Sequence, residues 1–235
     1  MVIQKSYTYL LIDLLTIIVP FLFSFEKKMA FYKKWKALFP ALAITGAFFI
    51  IWDLFLTEAH VWSFNPEYLT GISLWSLPLE EWLFFFAVPY SCVFIYESLN
   101  VLLKKDVFFS QRKNISVALI VIILTFVVSF PSGLYTITQL PMAAVLLAVT
   151  VMMDLKFMGK FYRAYLVSLI PFLIVNGILT ALPVVMYNDN ENSGLRVGSI
   201  PAEDLIYSML LLLMNIALFE CFKDKRSNGE NILTA

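Results

Sequence analysis

Two short acidic motifs hold most of what could do chemistry in this chain. Pro78-Leu79-Glu80-Glu81 and Pro201-Ala202-Glu203-Asp204 each set two carboxyl groups after a proline and ahead of a long apolar run. A charged group within an apolar span costs ~2.5–3.5 kcal/mol on membrane-insertion scales, so its presence needs a reason. One reason is local. Proline suits a first helical turn, where its missing N–H would have been unpaired anyway, and carboxylates in that turn meet the positive end of the helix dipole. A second reason is chemical. Carboxyl groups packed in an apolar pocket cannot all ionise, and a neutral acid beside a carboxylate is a proton donor beside a proton acceptor.

The two motifs are copies of one another. Sliding the chain by 123 residues superposes Asp53 to Glu97 on Asn176 to Glu220 without a gap. Thr57 then meets Thr180, Asn65 meets Asn188, and Gly71 meets Gly194. Slightly larger shifts match Phe31-Tyr32-Lys33 with Phe161-Tyr162-Arg163, and Tyr7-Thr8 with Tyr135-Thr136. Matching leucines would mean little in apolar segments; here the agreement falls on scarce polar, Gly and Pro positions, which argues for duplication. Asp53 and Asn176 add polar groups near the same end as the acidic motifs. Thr57 and Thr180, four residues on, share their helix faces. Aromatic residues cluster there too, and at this depth they ordinarily form an interfacial belt. Trp82, Phe84 and Phe85 are the ones placed to line a pocket. A cation over such a ring gains up to ~2 kcal/mol when desolvated, so acid plus aromatic lining suits chemistry that passes through a carbocation.

The elements that must position these groups are membrane helices. Hydrophobic residues make up 60% of the chain and charged ones 14%, against ~25% charged in a soluble domain. A helix crosses a bilayer core with ~20 mostly apolar residues. Seven stretches meet or approach that length: Tyr7–Phe25, Ala37–Leu56, Pro78–Leu99, Ile115–Phe130, Tyr135–Met153, Ala164–Leu182 and Glu203–Phe222. The expected fold class is an all-α integral membrane protein with two parallel three-helix repeats joined by a connector helix. Residues 1–100 hold the first repeat, 101–134 the connector with the fourth span, 135–222 the second repeat and 223–235 a tail. A single connector span makes the repeats parallel, packed about an axis along the membrane normal.

Charge orients the bundle. The net charge is zero, which gives no electrostatic case for a nucleic-acid partner, but 15 of the 17 basic residues fall on alternate connections, after spans one, three, five and seven. Basic loops stay in the cytoplasm. The expected arrangement in the cell membrane is therefore N-terminus outside and C-terminus cytoplasmic, with both acidic motifs at the outer face. Glu97 and Glu220 follow Glu80 and Glu203 by 17 residues, ~25 Å along a helix, so they are expected to pair with the inner basic residues. Asp13 could reach the outer pocket or bond a neighbouring helix. A single histidine, His60, is too few for an ordinary metal site. No dinucleotide fingerprint or phosphate-binding loop is present, and no cofactor is evident. The seventh span carries no mid-helix lysine for a retinal Schiff base.

The repeated Pro-x-Glu-Glu/Asp motif resembles the heterodimer-type lycopene cyclases. So do the approaches to it: Trp52-Asp53 and Phe64-Asn65-Pro66 before the first copy, Asn176-Gly177-Ile178-Leu179-Thr180 and Tyr187-Asn188 before the second. The chain looks like the fused form of that pair over nearly its whole length. The resemblance implies a lycopene β-cyclase-type intramolecular lyase or isomerase. An acid protonates the terminal double bond of lycopene, a neighbouring double bond closes the ring on the resulting cation, and proton loss leaves a β-ring, as in γ-carotene and β-carotene. It implies Glu80, Glu81, Glu203 and Asp204 as catalytic residues, with lycopene or a similar carotenoid, membrane lipid and other carotenoid-pathway enzymes as partners. Ala202 and Asp204 stand where the first copy has Leu79 and Glu81, so the two copies can differ in role; which carboxyl donates is not legible. The rival readings are another carotenoid- or isoprenoid-modifying membrane enzyme on this scaffold, and a transporter or proton-conducting protein. A transporter typically breaks its helices at mid-membrane, whereas these acids sit at helix starts.

Overall fold

A computed structural model describes the backbone of residues 5–233 and the side chains of residues 5–224. Lys225, Arg226 and most of the expected tail therefore lie outside the described side chains. Seven long helices succeed one another: α1 Thr8–Phe23, α2 Trp35–Glu58, α3 Leu79–Leu102, α4 Arg112–Ser129, α5 Leu134–Met152, α6 Met158–Ala181 and α7 Ala202–Leu233. Each lies in a span long and apolar enough to cross a membrane, α1 within Lys5–Phe23, α2 within Phe31–Glu58 and α7 through its Ala202–Asp224 part. This is the all-α membrane architecture read from the apolar runs.

The helix α6 starts six residues before its apolar run, in a segment whose Lys160 and Arg163 read as loop. The reason is the helix beside it. Arg163 is buried and donates to the carbonyls of Leu103 (3.2 Å) and Lys105 (2.9 Å) and to Asn100 Oδ1 (2.9 Å). A guanidinium there satisfies carbonyls that the end of α3 leaves unpaired, so a basic residue belongs inside the helix.

Six short strands were not legible: β1 Trp62–Phe64, β2 Ser73–Leu74, β3 Leu77–Pro78, β4 Val185–Tyr187, β5 Arg196–Val197 and β6 Ile200–Pro201. Runs of two or three residues show no usable alternation. The strands β1 and β4, one from each repeat, pair antiparallel with Trp62 opposite Tyr187, Ser63 opposite Met186 and Phe64 opposite Val185. Two further bonds extend the ladder evenly, Asn65 N–H to Val184 O and Asn188 N–H to Val61 O, both 2.9 Å. Ser63 and Met186 are themselves 123 residues apart. The ladder is thus two-fold about its own centre, as parallel repeats around a membrane-normal axis require.

Each repeat next makes a hairpin, β2 with β3 and β5 with β6, that returns the chain to the start of α3 or α7. Leu79 N–H bonds Ile72 O and Ala202 N–H bonds Leu195 O, both at 2.9 Å. The first turn residue has positive φ in both hairpins, +55° at Trp75 and +65° at Gly198. Glycine takes that conformation freely and tryptophan does not, so the first hairpin carries strain that the second lacks. The main core lies among α2, α3, α5 and α7, where Leu38, Phe49, Val93, Leu147, Ile216 and Phe219 are fully enclosed. The connector α4 packs chiefly on α5.

Candidate active site

Neighbouring residues on a helix point ~100° apart, and that rotation divides each acidic pair. Glu80 turns back to its own loop, its Oε1 accepting the Thr70 N–H at 2.7 Å. Glu203 does the same, accepting the Ser193 N–H at 2.6 Å and the Thr136 hydroxyl at 2.6 Å. Thr70 and Ser193 are equivalent under the 123-residue shift. Both carboxyls are enclosed, at 1% and 0% exposure, and fasten the chain that leads into the hairpins.

Glu81 and Asp204 face the other way, onto one cavity of about 460 Å³ bounded by α1, α3, α6 and α7. The Tyr9 hydroxyl donates to Glu81 Oε2 at 2.6 Å, and the Tyr135 hydroxyl to Asp204 Oδ1 at 2.7 Å. Asp204 takes two further donors on Oδ2, the Tyr187 hydroxyl and the Asn176 amide, each at 2.8 Å. Burial, and after it the Asp204 charge, pushes the Tyr187 hydroxyl well above the usual tyrosine range. It therefore keeps its proton and remains a donor.

Asp53 reaches the cavity from α2. It stands at the repeat position of Asn176, so the place that gives Asp204 an amide partner carries a carboxyl in the first repeat. Asp53, Glu81 and Asp204 all line this one cavity. Asp53 Oδ2 is buried with no hydrogen-bond partner. Around these groups the wall is aromatic and aliphatic. Phe84 and Tyr207, equivalent positions of the two repeats, both line it. Phe84 meets Tyr9 edge-on at 6.4 Å and Tyr207 meets Tyr135 at 6.2 Å.

Of the pocket residues expected from sequence, Asp53, Asn176 and Phe84 line the cavity and four do not. Thr180 bonds Ser199 Oγ at 2.7 Å and the Asn176 carbonyl at 2.8 Å, and Thr57 is packed away with its hydroxyl unpartnered. Trp82 lies against Trp75 at 5.5 Å, and Phe85 against Phe49 in the core at 6.1 Å. Phe84, three residues beyond Glu81, shares the face of that acid. The match of Tyr7 with Tyr135 is also corrected. Tyr7 precedes α1 and is 47% exposed, and the residue that does for Glu81 what Tyr135 does for Asp204 is Tyr9, 126 residues before Tyr135.

The tyrosines Tyr9, Tyr135, Tyr187 and Tyr207 are the site residues that sequence reasoning missed. A shift of 126 aligns the first two and was the available signal. Glu97 and Glu220 sit at the opposite end and pair as their spacing suggested. Glu97 meets Lys34 and, at 3.0 Å, Lys223; Glu220 meets Lys223 and the Tyr96 hydroxyl, each at 2.9 Å. Asp13 is buried, with both carboxyl oxygens unpartnered and off the cavity wall.

A family model described as lycopene cyclase matches residues 6–99 and 132–222, one block on each side of α4. No curated protein and no solved structure matches the chain.

Proposed function

The chain belongs to the lycopene cyclase family, and from that premise we propose that it closes linear ends of lycopene into β-rings, with the Asp53–Glu81 pair as proton donor and Asp204 as acceptor. The observation that carries this reading is the unequal hydrogen bonding of equivalent acids on one cavity wall. Asp204 receives three donors, the pattern of an ionised, acceptor-only carboxylate. Glu81 receives one, from Tyr9, and shares the cavity wall with Asp53, whose Oδ2 is buried without a partner. Two carboxyl groups in one dry pocket hold a proton between them.

The pair gives that proton to the terminal double bond; a carboxyl O–H breaks, a C–H forms, and a tertiary cation remains. The electrons of a neighbouring double bond make the ring bond and carry the positive charge into the ring. Asp204 then removes a ring proton, and the electrons of that C–H bond become the ring double bond. One proton enters and one leaves, so the reaction is an isomerisation without net redox change. Its return from Asp204 to the pair completes the cycle. The rings of Tyr9, Phe84, Tyr135 and Tyr207 flank the cation, each worth up to ~2 kcal/mol in a desolvated site, and the apolar wall keeps out water that would trap it. With the basic loops in the cytoplasm, this cavity lies in the outer leaflet.

Pigment analysis of lycopene-producing bacteria expressing the chain tests the reading. The wild type is expected to yield γ-carotene or β-carotene, and Glu81→Gln or Asp204→Asn to leave lycopene unchanged with the protein still in the membrane. Unchanged lycopene with the wild type present in the membrane would overturn it.

A further inference from the structure

Among the described residues, the symmetric counterpart of the cavity wall is built differently. On the open side, α6 contributes Phe172 and Val175 to the wall. Their repeat equivalents in α2 are Phe49 and Trp52. Phe49 is fully buried, edge-on to Tyr207 at 5.2 Å. Trp52, far larger than valine, packs with the cluster that includes Tyr135 of α5, and its indole N–H is enclosed. The groove that symmetry would place between α2 and α5 is thus filled by aromatic side chains. Acids from both repeats, Glu81 and Asp204, instead line the wall of the groove between α1 and α6.

That groove is open at the side. Leu15 of α1 and Ile174 of α6 are part of its wall yet 69% and 59% exposed, so its mouth faces the apolar surroundings of the bundle. Its size matters too. Benzene occupies a cavity of ~150 Å³, which scales to roughly 1,000 Å³ for a forty-carbon hydrocarbon. The cavity of about 460 Å³ therefore takes one end of a carotenoid and leaves most of the polyene outside, between α1 and α6.

We propose that the chain has one seat and closes one ring per visit, so that a two-ringed product requires the molecule to leave, turn end for end and bind again. This rests on the cyclase reading and adds the order of events. Val175 is the specificity-determining position: its small side chain keeps the seat open where Trp52 fills the symmetric one.

The test uses the purified chain in lipid nanodiscs with lycopene in large excess, sampled through the first turnovers. Free one-ringed product is expected to exceed the enzyme concentration before two-ringed product appears, and added labelled one-ringed carotenoid should enter the two-ringed pool. A product that stops at one ring supports the same conclusion. Two-ringed product from the first turnovers, without uptake of label, overturns the one-seat proposal and leaves the cyclase reading intact; no ring product at all sinks both. In parallel, Val175→Trp copies a residue that α2 already holds at the equivalent place. It is expected to abolish turnover and lycopene co-purification while Glu81→Gln still binds lycopene. Full turnover in Val175→Trp would place the seat elsewhere.

Discussion

Asn176 donates its amide N–H to Asp204 at 2.8 Å, and the residue in its place in the first repeat, Asp53, puts a carboxyl on the cavity wall that Glu81 also lines. This one exchange makes two otherwise matching acid stations unlike. Asp53→Asn would put an amide where Asp204 already has one in the second repeat and remove the carboxyl proposed to share a proton with Glu81. Loss of an aligned general acid typically costs 10²–10⁴-fold in rate. Initial rates of ring formation in Asp53→Asn should fall by about that range in a folded protein. A rate near wild type would show that no shared proton drives the reaction.

The split within each acidic motif separates two variants that sequence alone treats as equal. Glu80→Gln keeps an oxygen to accept the Thr70 N–H, so the loop and most of the turnover should survive. Glu80→Ala leaves that N–H unpaired and should cost about 1–3 kcal/mol of stability. Glu81→Gln should keep the fold and lose turnover. Thermal unfolding measured beside turnover distinguishes the two residues, and an inactive but fully stable Glu80→Gln would return Glu80 to the chemistry.

How far the chain could be read follows from which features are local. The spans were legible because crossing a bilayer demands length and hydropathy that nothing else imitates. The duplication was legible because Thr57, Asn65, Glu80 and Glu97 recur at one constant shift. The partners of Glu97 were legible from charge at the far end of α3. The direction in which each carboxyl points was not. Glu80 and Glu81 differ only by the rotation between helix neighbours, and the choice is made by the β2–β3 hairpin that brings Thr70 to Glu80. Tyr9 was hidden because the stretch from α1 to α2 is out of step with its copy, moving its match from 123 to 126 residues. The β1–β4 ladder pairs segments more than a hundred residues apart through three residues each, too little pattern for any window.

The charges at the far end are expected to stabilise the bundle without taking part in catalysis. Glu97 is 4% exposed and bonded to Lys34 and Lys223, both of which reach solvent. Such a pair lies between the surface limit, worth under ~1 kcal/mol, and the buried limit, where loss of one partner costs ~3–5 kcal/mol. Glu97→Gln should lower stability by about 2 kcal/mol and leave ring formation per folded molecule unchanged. A folded, full-yield but inactive variant would connect this end of the bundle to the reaction.

Asp154, in the turn between α5 and α6, gives the bundle a pH-dependent clamp. Hydrogen bonds from Lys156 and then Arg112, the latter at 2.7 Å, hold its carboxyl well below the usual carboxylate range, and Lys113 adds a third cation at 3.2 Å. A carboxyl depressed by folding stabilises most where it is ionised in both states, above its unfolded value of ~3.9. As pH falls below that value the unfolded chain takes up a proton while the folded chain resists. The contribution then shrinks, and it is gone once pH has dropped through the folded value. Asp154→Asn should therefore lower the melting temperature at pH 7, and the gap from wild type should close as the medium is taken below about pH 4. Melting curves at pH 7 and well below about pH 4 decide it. A gap that stays constant would mean that Asp154 acts through packing and not through its charge.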